Sequence, residues 1–202
     1  MKKPIDSCSA ANLSTNRKEM PVRRVVTGHT KEGKAVCIHD GSPPRVSALD
    51  SLPSARLTDV WATSGVPALP AHEEDPTLGM TSLVPAPGET RFRLTRFPPD
   101  TIMEQELSQE EFAVIREEAM KKLPGLGEAL DPGAPGMHTT DTVDYGIVIS
   151  GEICLELDDG VEIHLRPGDC VVQNGTRHAW RNRGTVPCTM AFVMIGARRS
   201  QL

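Results

Sequence analysis

From Gly146 to Asn182 the chain reads GIVISGEICLELDDGVEIHLRPGDCVVQNGTRHAWRN, a succession of short apolar runs cut by turn residues. One run ends at Leu157, the Asp159-Gly160 pair is a turn that closes tight hairpins, a second run covers Val161 to Leu165, and Pro167-Gly168 turns the chain again. CTMAFVMI, Cys188 to Ile195, makes a last strand. Strands this short and this closely spaced predict a sandwich or a closed antiparallel barrel, and argue against a parallel sheet with crossover helices.

Composition agrees. Aromatic residues make up 3% of the chain, and Gly and Pro number 17 each, which suits short strands and many turns better than a helical bundle. With 202 residues the chain can bury a full core, and the expectation is one domain with extensions. Residues 1–20 are polar and read as a flexible arm. Residues 21–135 hold N-terminal strands, a proline-rich crossing segment and one helix that pack on the barrel, and residues 136–202 form the barrel itself.

Within the extension, Arg24–Thr27 and Ala35–His39 flank Gly33 as a hairpin would, and Leu57–Thr63 adds a strand. Residues 64–90 are dense in Pro and Gly and predict irregular chain. TRFRLTRFPP alternates polar and apolar residues as a half-buried strand does. Ser108 and Glu111 form a capping-box pattern, and Phe112, Ile115, Ala119 and Leu123 recur at helical spacing until Pro124.

Lys and Arg total 22 against 27 Asp and Glu, a formal net charge of -5. No basic cluster stands beside stacking aromatics, so the reading is no nucleic-acid partner and no membrane partner, and a small-molecule ligand instead. Five cysteines, Cys8, Cys37, Cys154, Cys170 and Cys188, show no C-x-x-C spacing, so reduced thiols are expected. Cys154 and Cys170 read as small buried hydrophobes on strands. Residues 4–20 contain no apolar run of the signal-peptide kind, and the expected compartment is the cytoplasm.

Two segments concentrate chemistry. In GMHTTDTVDYGIVISGE the strand period of two places His138, Thr140, Thr142 and Asp144 on one face, with Asp141 and Tyr145 on the other. In RPGDCVVQNGTRHAWRN it places His178, Trp180 and Asn182 together. If the segments form neighbouring walls, His138, Asp144 and His178 converge. Two imidazoles and a carboxylate suit a non-haem Fe(II) centre, and Mn, Ni or Zn can occupy the same set. The alternative is a pair of barrel-lining histidines that bind no metal. Asp144 is also the candidate general base, with Thr140 beside it as hydrogen-bond partner to a substrate oxygen, and Trp180, Thr142 and Asn182 line the pocket. His29, His39, His72 and His164 lack partners at ligand spacing and read as surface or structural histidines, and Asp141 as a turn cap or an arginine partner.

These segments resemble the paired motifs of the cupin superfamily. His138, Asp144 and Gly151 fall on the histidine, acid and closing glycine of the first motif, with six residues between Asp144 and Gly151. Pro167, Gly168, Asp169, Gly175, His178 and Asn182 fall on the second. Thr140 stands where a second histidine would be, and Asp144 replaces a longer glutamate. The resemblance implies a jelly-roll (double-stranded β-helix) barrel of the small single-domain conserved-barrel type. It also implies a metal-dependent oxidoreductase, dioxygenase or lyase acting on a small aromatic or keto-bearing molecule. A metal-free binding or sensory cupin is the alternative, and edge strands such as Arg24–Thr27 make a homodimer the expected assembly.

Overall fold

A computed structural model describes residues 22–52, 54–70, 74–100 and 109–200. The expected arm at residues 1–20 with Cys8, His72, and the capping residue Ser108 lie outside the described residues. In chain order the strands are β1 (Arg24–His29), β2 (Ala35–Gly41), β3 (Arg45–Ser47), β4 (Arg56–Thr63) and β5 (Thr90–Phe97). Helices α1 (Gln109–Lys122) and α2 (Leu126–Ala129) follow, then β6 (Thr142–Ser150), β7 (Ile153–Glu156), β8 (Glu162–Leu165), β9 (Cys170–Asn174), β10 (Ala179–Arg181) and β11 (Cys188–Gly196).

All named pairings are antiparallel. A six-stranded sheet runs β3-β4-β5-β11-β6-β9, a three-stranded sheet runs β10-β7-β8, and β1 and β2 form a separate hairpin. Val148, Met190, Phe192 and Met194 from the first sheet meet Ile153, Leu155 and Leu165 from the second in one buried cluster. Each such side chain contributes roughly 1.5–3 kcal/mol by leaving water. The core therefore lies between two facing sheets, the mostly β sandwich expected from the turn rhythm, in the jelly-roll arrangement that the resemblance to cupins implies.

The turns form as their residues dictate. Leu157 N–H donates to Val161 O at 2.8 Å across Asp158, Asp159 and Gly160. Asp159 and Gly160 take the positive φ values, 58° and 71°, that this loop requires. At Gly151, φ is 73° and an added Cβ would lie 2.6 Å from Pro187 O, so both backbone and space demand glycine at the β6–β7 corner.

The extension is not merely packed on the barrel. β4 and β5 are members of the six-stranded sheet, which thus runs across the boundary expected near residue 136. β5 alternates as expected, but with the faces exchanged. Arg91, Arg93 and Thr95 are buried and Phe92 is exposed. The reason is partnership: Asp59 of β4 and Glu89 supply carboxylates to Arg93 and Arg91, and a paired guanidinium can be buried where an unpaired one cannot.

α1 ends before Pro124 as expected. Its Ala119, with Leu123 just beyond it, packs with Leu57, Ala62, Met80 and Leu83 in a second cluster over one end of the barrel. α2 falls in the Gly- and Pro-rich stretch PGLGEALDPGAPG; Glu128 accepts from the Gly125 N–H at 2.5 Å and starts the turn. Cys170, expected to be buried, is exposed, Cys154 is half-buried, and Cys188 is fully buried. Burial pushes the Cys188 thiol up to about 12, so it is an inert core residue.

Candidate functional site: a cavity behind paired histidines

Where β6 begins, the chain segment ahead of it crosses the segment ahead of β10. His138 and His178 bridge there, each N–H donating to the other residue's carbonyl at 2.9 and 3.0 Å. This brings the two imidazoles together as a tilted pair, with ring centroids 4.2 Å apart and planes 49° to each other. Each Nδ1 is tied to a backbone carbonyl two residues earlier, His138 to Gly136 O at 3.0 Å and His178 to Thr176 O at 2.9 Å. A carbonyl accepts only, so each Nδ1 carries the proton and each Nε2 is left as a lone-pair acceptor. Burial holds the His138 ring below its ordinary range, and burial plus the neighbouring imidazole hold His178 down at about 4. Both rings are neutral at pH 7.

The rings line a cavity of about 260 Å³. Asp144, projecting from β6, lines the same space and is 6% exposed. Its Oδ1 is buried without a hydrogen-bond partner. Burial pushes its carboxyl up to about 6, opposed by the Thr142 hydroxyl and the Arg93 charge. Thr140 also lines the cavity, its hydroxyl 2.8 Å from that of Thr142. Trp180 closes one wall, edge-on to His178 at 5.6 Å and 5.5 Å from the Phe192 ring.

His138, Thr140, Asp144, His178 and Trp180 are thus brought to one cavity, whereas Thr142 and Asn182 are not among the residues lining it. Thr142 is buried behind Thr140. Asn182 spends its amide on the corner, donating to Phe97 O at 3.0 Å and Val186 O at 2.9 Å and accepting from Gly184 N–H at 3.0 Å. Asp141 faces away and pairs with Arg199 at 2.5 Å, Tyr145 is half exposed on the outer face, and His164 pairs with Glu152 at 2.9 Å.

Sequence reasoning missed Arg93, Phe97, Phe192 and Met194, all of which line the cavity. The alternation of β5 groups Arg91, Arg93 and Thr95 on one face but does not say that this face is the buried one.

The expected metal set divides in two. The imidazoles are oriented as metal-bound histidines are, Nδ1 anchored and Nε2 free. Among the described residues, however, no three of His, Cys, Asp and Glu gather as a metal cluster. The side chains present therefore fit attachment through two imidazoles and do not form the three-residue centre.

Two facing antiparallel sheets, a cavity between them and a histidine pair at its polar end define a cupin barrel. Residues 128–195 match the cupin domain family model (Cupin_2), so this part of the chain carries a cupin domain. Among curated proteins it is 49% identical over 63 residues to phomopsin biosynthesis cluster protein C' of Diaporthe leptostromiformis, covering 31% of this chain and 33% of that one. It is 39% identical over 92 residues to the cupin-domain-containing oxidoreductase fogC of Aspergillus ruber, covering 42% and 45%. The matches thus span between a third and just under half of those relatives. A solved structure, the Cupin_2 domain of an XRE family transcriptional regulator from Enterobacter cloacae, is similar at 18% identity and a TM-score of 0.33, covering 54% of this chain and 83% of that one. Among the described residues no helix is long and apolar enough to cross a membrane.

Proposed function

We propose that the chain is a cupin enzyme of the oxidoreductase kind, acting on a small, largely apolar organic molecule held in the barrel cavity. The observation that carries this reading is the joining of an aromatic wall, Trp180 and Phe192, to a polar end where two neutral imidazoles and a buried carboxylate face the same space. Relatives named as cupin-domain-containing oxidoreductases support the reaction class.

The side chains supply the proton-handling part of such a reaction. His138 and His178 each offer a free Nε2 that can take a proton from a bound C–H or O–H. Asp144, titrating near 6, can accept or return one close to neutral pH. The aromatic wall excludes water from the bound molecule and fixes its ring. Thr140 presents a hydroxyl to a substrate oxygen.

Product analysis by mass spectrometry, with aromatic and keto-bearing substrates under air, tests the reading. Turnover by the wild type that falls at least a hundredfold in His178→Ala is expected. Equal turnover by both proteins contradicts it.

A second reading is favoured by the anchored Nδ1 atoms: a divalent ion, Fe foremost and otherwise Mn, Ni or Zn, held by His138 and His178. Such an ion supplies a Lewis acid that polarises a bound oxygen. Elemental analysis of protein purified without added metal or chelator, wild type beside His178→Ala, decides it. Near-stoichiometric metal lost in the variant supports the ion, and none after reconstitution removes it.

A further inference from the structure

We infer that the molecule bound in this cavity is a small hydroxy acid, its carboxylate taken by Arg93 and its hydroxyl by Asp144. The inference rests on the cavity being the reaction site and names the substrate class.

Arg93 is 3% exposed and lines the cavity from β5. Its Nε donates to Asp59 Oδ1 at 2.8 Å and its Nη2 to Leu83 O at 2.9 Å. Nη1 meets, among the described residues, only the Met194 sulfur at 3.8 Å. A thioether is a weak acceptor, so one edge of this buried, cavity-lining guanidinium is left underused. Charge points the same way. Asp59, fully buried, serves both Arg93 and, at 3.4 Å, Arg45, so two cations share one anion. An anionic oxygen is the complement such an edge selects.

On the neighbouring side of the same cavity stands an acceptor without a donor. Met194 pairs across the sheet with Asp144, so the sulfur that touches Arg93 lies directly opposite the strand position of Asp144. Asp144 Oδ1 is buried and unpartnered, and no hydrogen bond joins it to Arg93 in the structure. A buried acceptor in this state calls for a donor from the ligand. A carboxylate and a hydroxyl on nearby carbons meet both demands at once. The rest of the molecule lies against Phe97, Trp180 and Phe192, a wall that takes an aromatic or branched apolar group.

Mandelate, phenylacetate and mandelamide separate the two contacts, and their binding to the whole chain is read by calorimetry without reference to turnover. Mandelate is expected to bind between about tenfold and a hundredfold tighter than mandelamide, which lacks the charge, and at least several-fold tighter than phenylacetate, which lacks the hydroxyl. Asp144→Ala is expected to abolish the second ratio and keep the first. Arg93→Met made together with Asp59→Asn, so that no buried carboxylate is stranded, is expected to abolish the first. Mandelamide binding as tightly as mandelate in the wild type overturns the inference, as does no binding of any of the three at millimolar concentration. His178→Ala is expected to retain the mandelate preference, so loss of turnover with the preference intact bears on the enzyme reading alone. Turnover with no such preference bears on the substrate class alone.

Discussion

An aspartate and a histidine share the cavity with their ordinary acidities inverted. Asp144 is raised from 3.8 to about 6, and His178 is lowered from 6.5 to about 4, both chiefly by burial. Asp144 has a folded value above its unfolded one, so its contribution to stability is fully present below 3.8 and is lost as pH rises through about 6. His178 is the reverse case: its contribution is present above 6.5 and is lost as pH falls through about 4. Between these limits the unfolded chain carries one proton on the histidine and the folded protein carries one on the aspartate, so the two slopes cancel. Single variants uncover them. Asp144→Asn is expected to lose stability on acidification below 6.5, and His178→Asn to gain stability as pH falls through about 6, each by on the order of 3 kcal/mol in urea titrations. Parallel pH profiles for wild type and both variants would contradict the assignment.

Activity follows the same groups. If Asp144 acts as the base, turnover rises with pH through about 6, and the rise disappears in Asp144→Asn. A profile unchanged by that substitution would remove Asp144 from proton transfer and leave it a binding group.

At the scale of elements, glycine placement separates strain from crowding. Gly151 and Gly160 have nearly equal φ, 73° and 71°, but an added Cβ meets Pro187 O at 2.6 Å in the first and nothing within 4 Å in the second. Gly160→Ala is expected to cost about 1 kcal/mol, the left-handed backbone alone. Gly151→Ala should cost roughly 2–4 kcal/mol, since the β6–β7 corner must also move. Equal losses in chemical denaturation would show that the corner yields freely.

The strands differed in how legible they were. β1, β2, β4 and β11 are visible because apolar and β-branched residues sit between clear turn signals, and α1 because Ile115, Ala119 and Leu123 share a face that Pro124 ends. β5 shows its alternation but not its orientation: a period of two says that the faces differ, not which one is buried. Asp59 and Glu89 decide that; Glu89 stands two residues from Arg91, but no local pattern announces that the distant Asp59 will meet Arg93. The histidine pair was legible because motif spacing fixes His138 and His178. Arg93, Phe97, Phe192 and Met194 were not, because β5 and β11 enter the site through sheet register, without a motif of their own.

Over the whole molecule, the two apolar clusters share one sheet. The cluster over the barrel end includes Leu57 of β4 and Leu123 beyond α1, while Leu155 of β7 belongs to the cluster between the sheets. Because β4 and β5 continue the sheet that β11 and β6 build, the extension and the barrel should unfold together. Leu123→Ala and Leu155→Ala are each expected to lower stability by about 2–5 kcal/mol, and to shift one shared transition followed by both fluorescence and circular dichroism. Two separated transitions in either variant would show that the extension is an independent unit.

Shared architecture also explains why the cavity exists. The barrel's aromatic residues and, from the extension, Ala119 of α1 and Leu123 line the same cavity, so removing the extension would open the site to water.

The proposed function requires the histidine pair and Asp144 to move protons on a molecule bound between these walls. Hydrogen–deuterium exchange tests it directly, with small hydroxy and keto acids incubated with the protein in deuterated buffer and the C–H adjacent to the carbonyl followed by NMR. Wild type is expected to exchange that hydrogen on at least one such acid, and His178→Ala and Asp144→Asn to do so far more slowly. Exchange at the same rate by all three proteins, or by none, would contradict it.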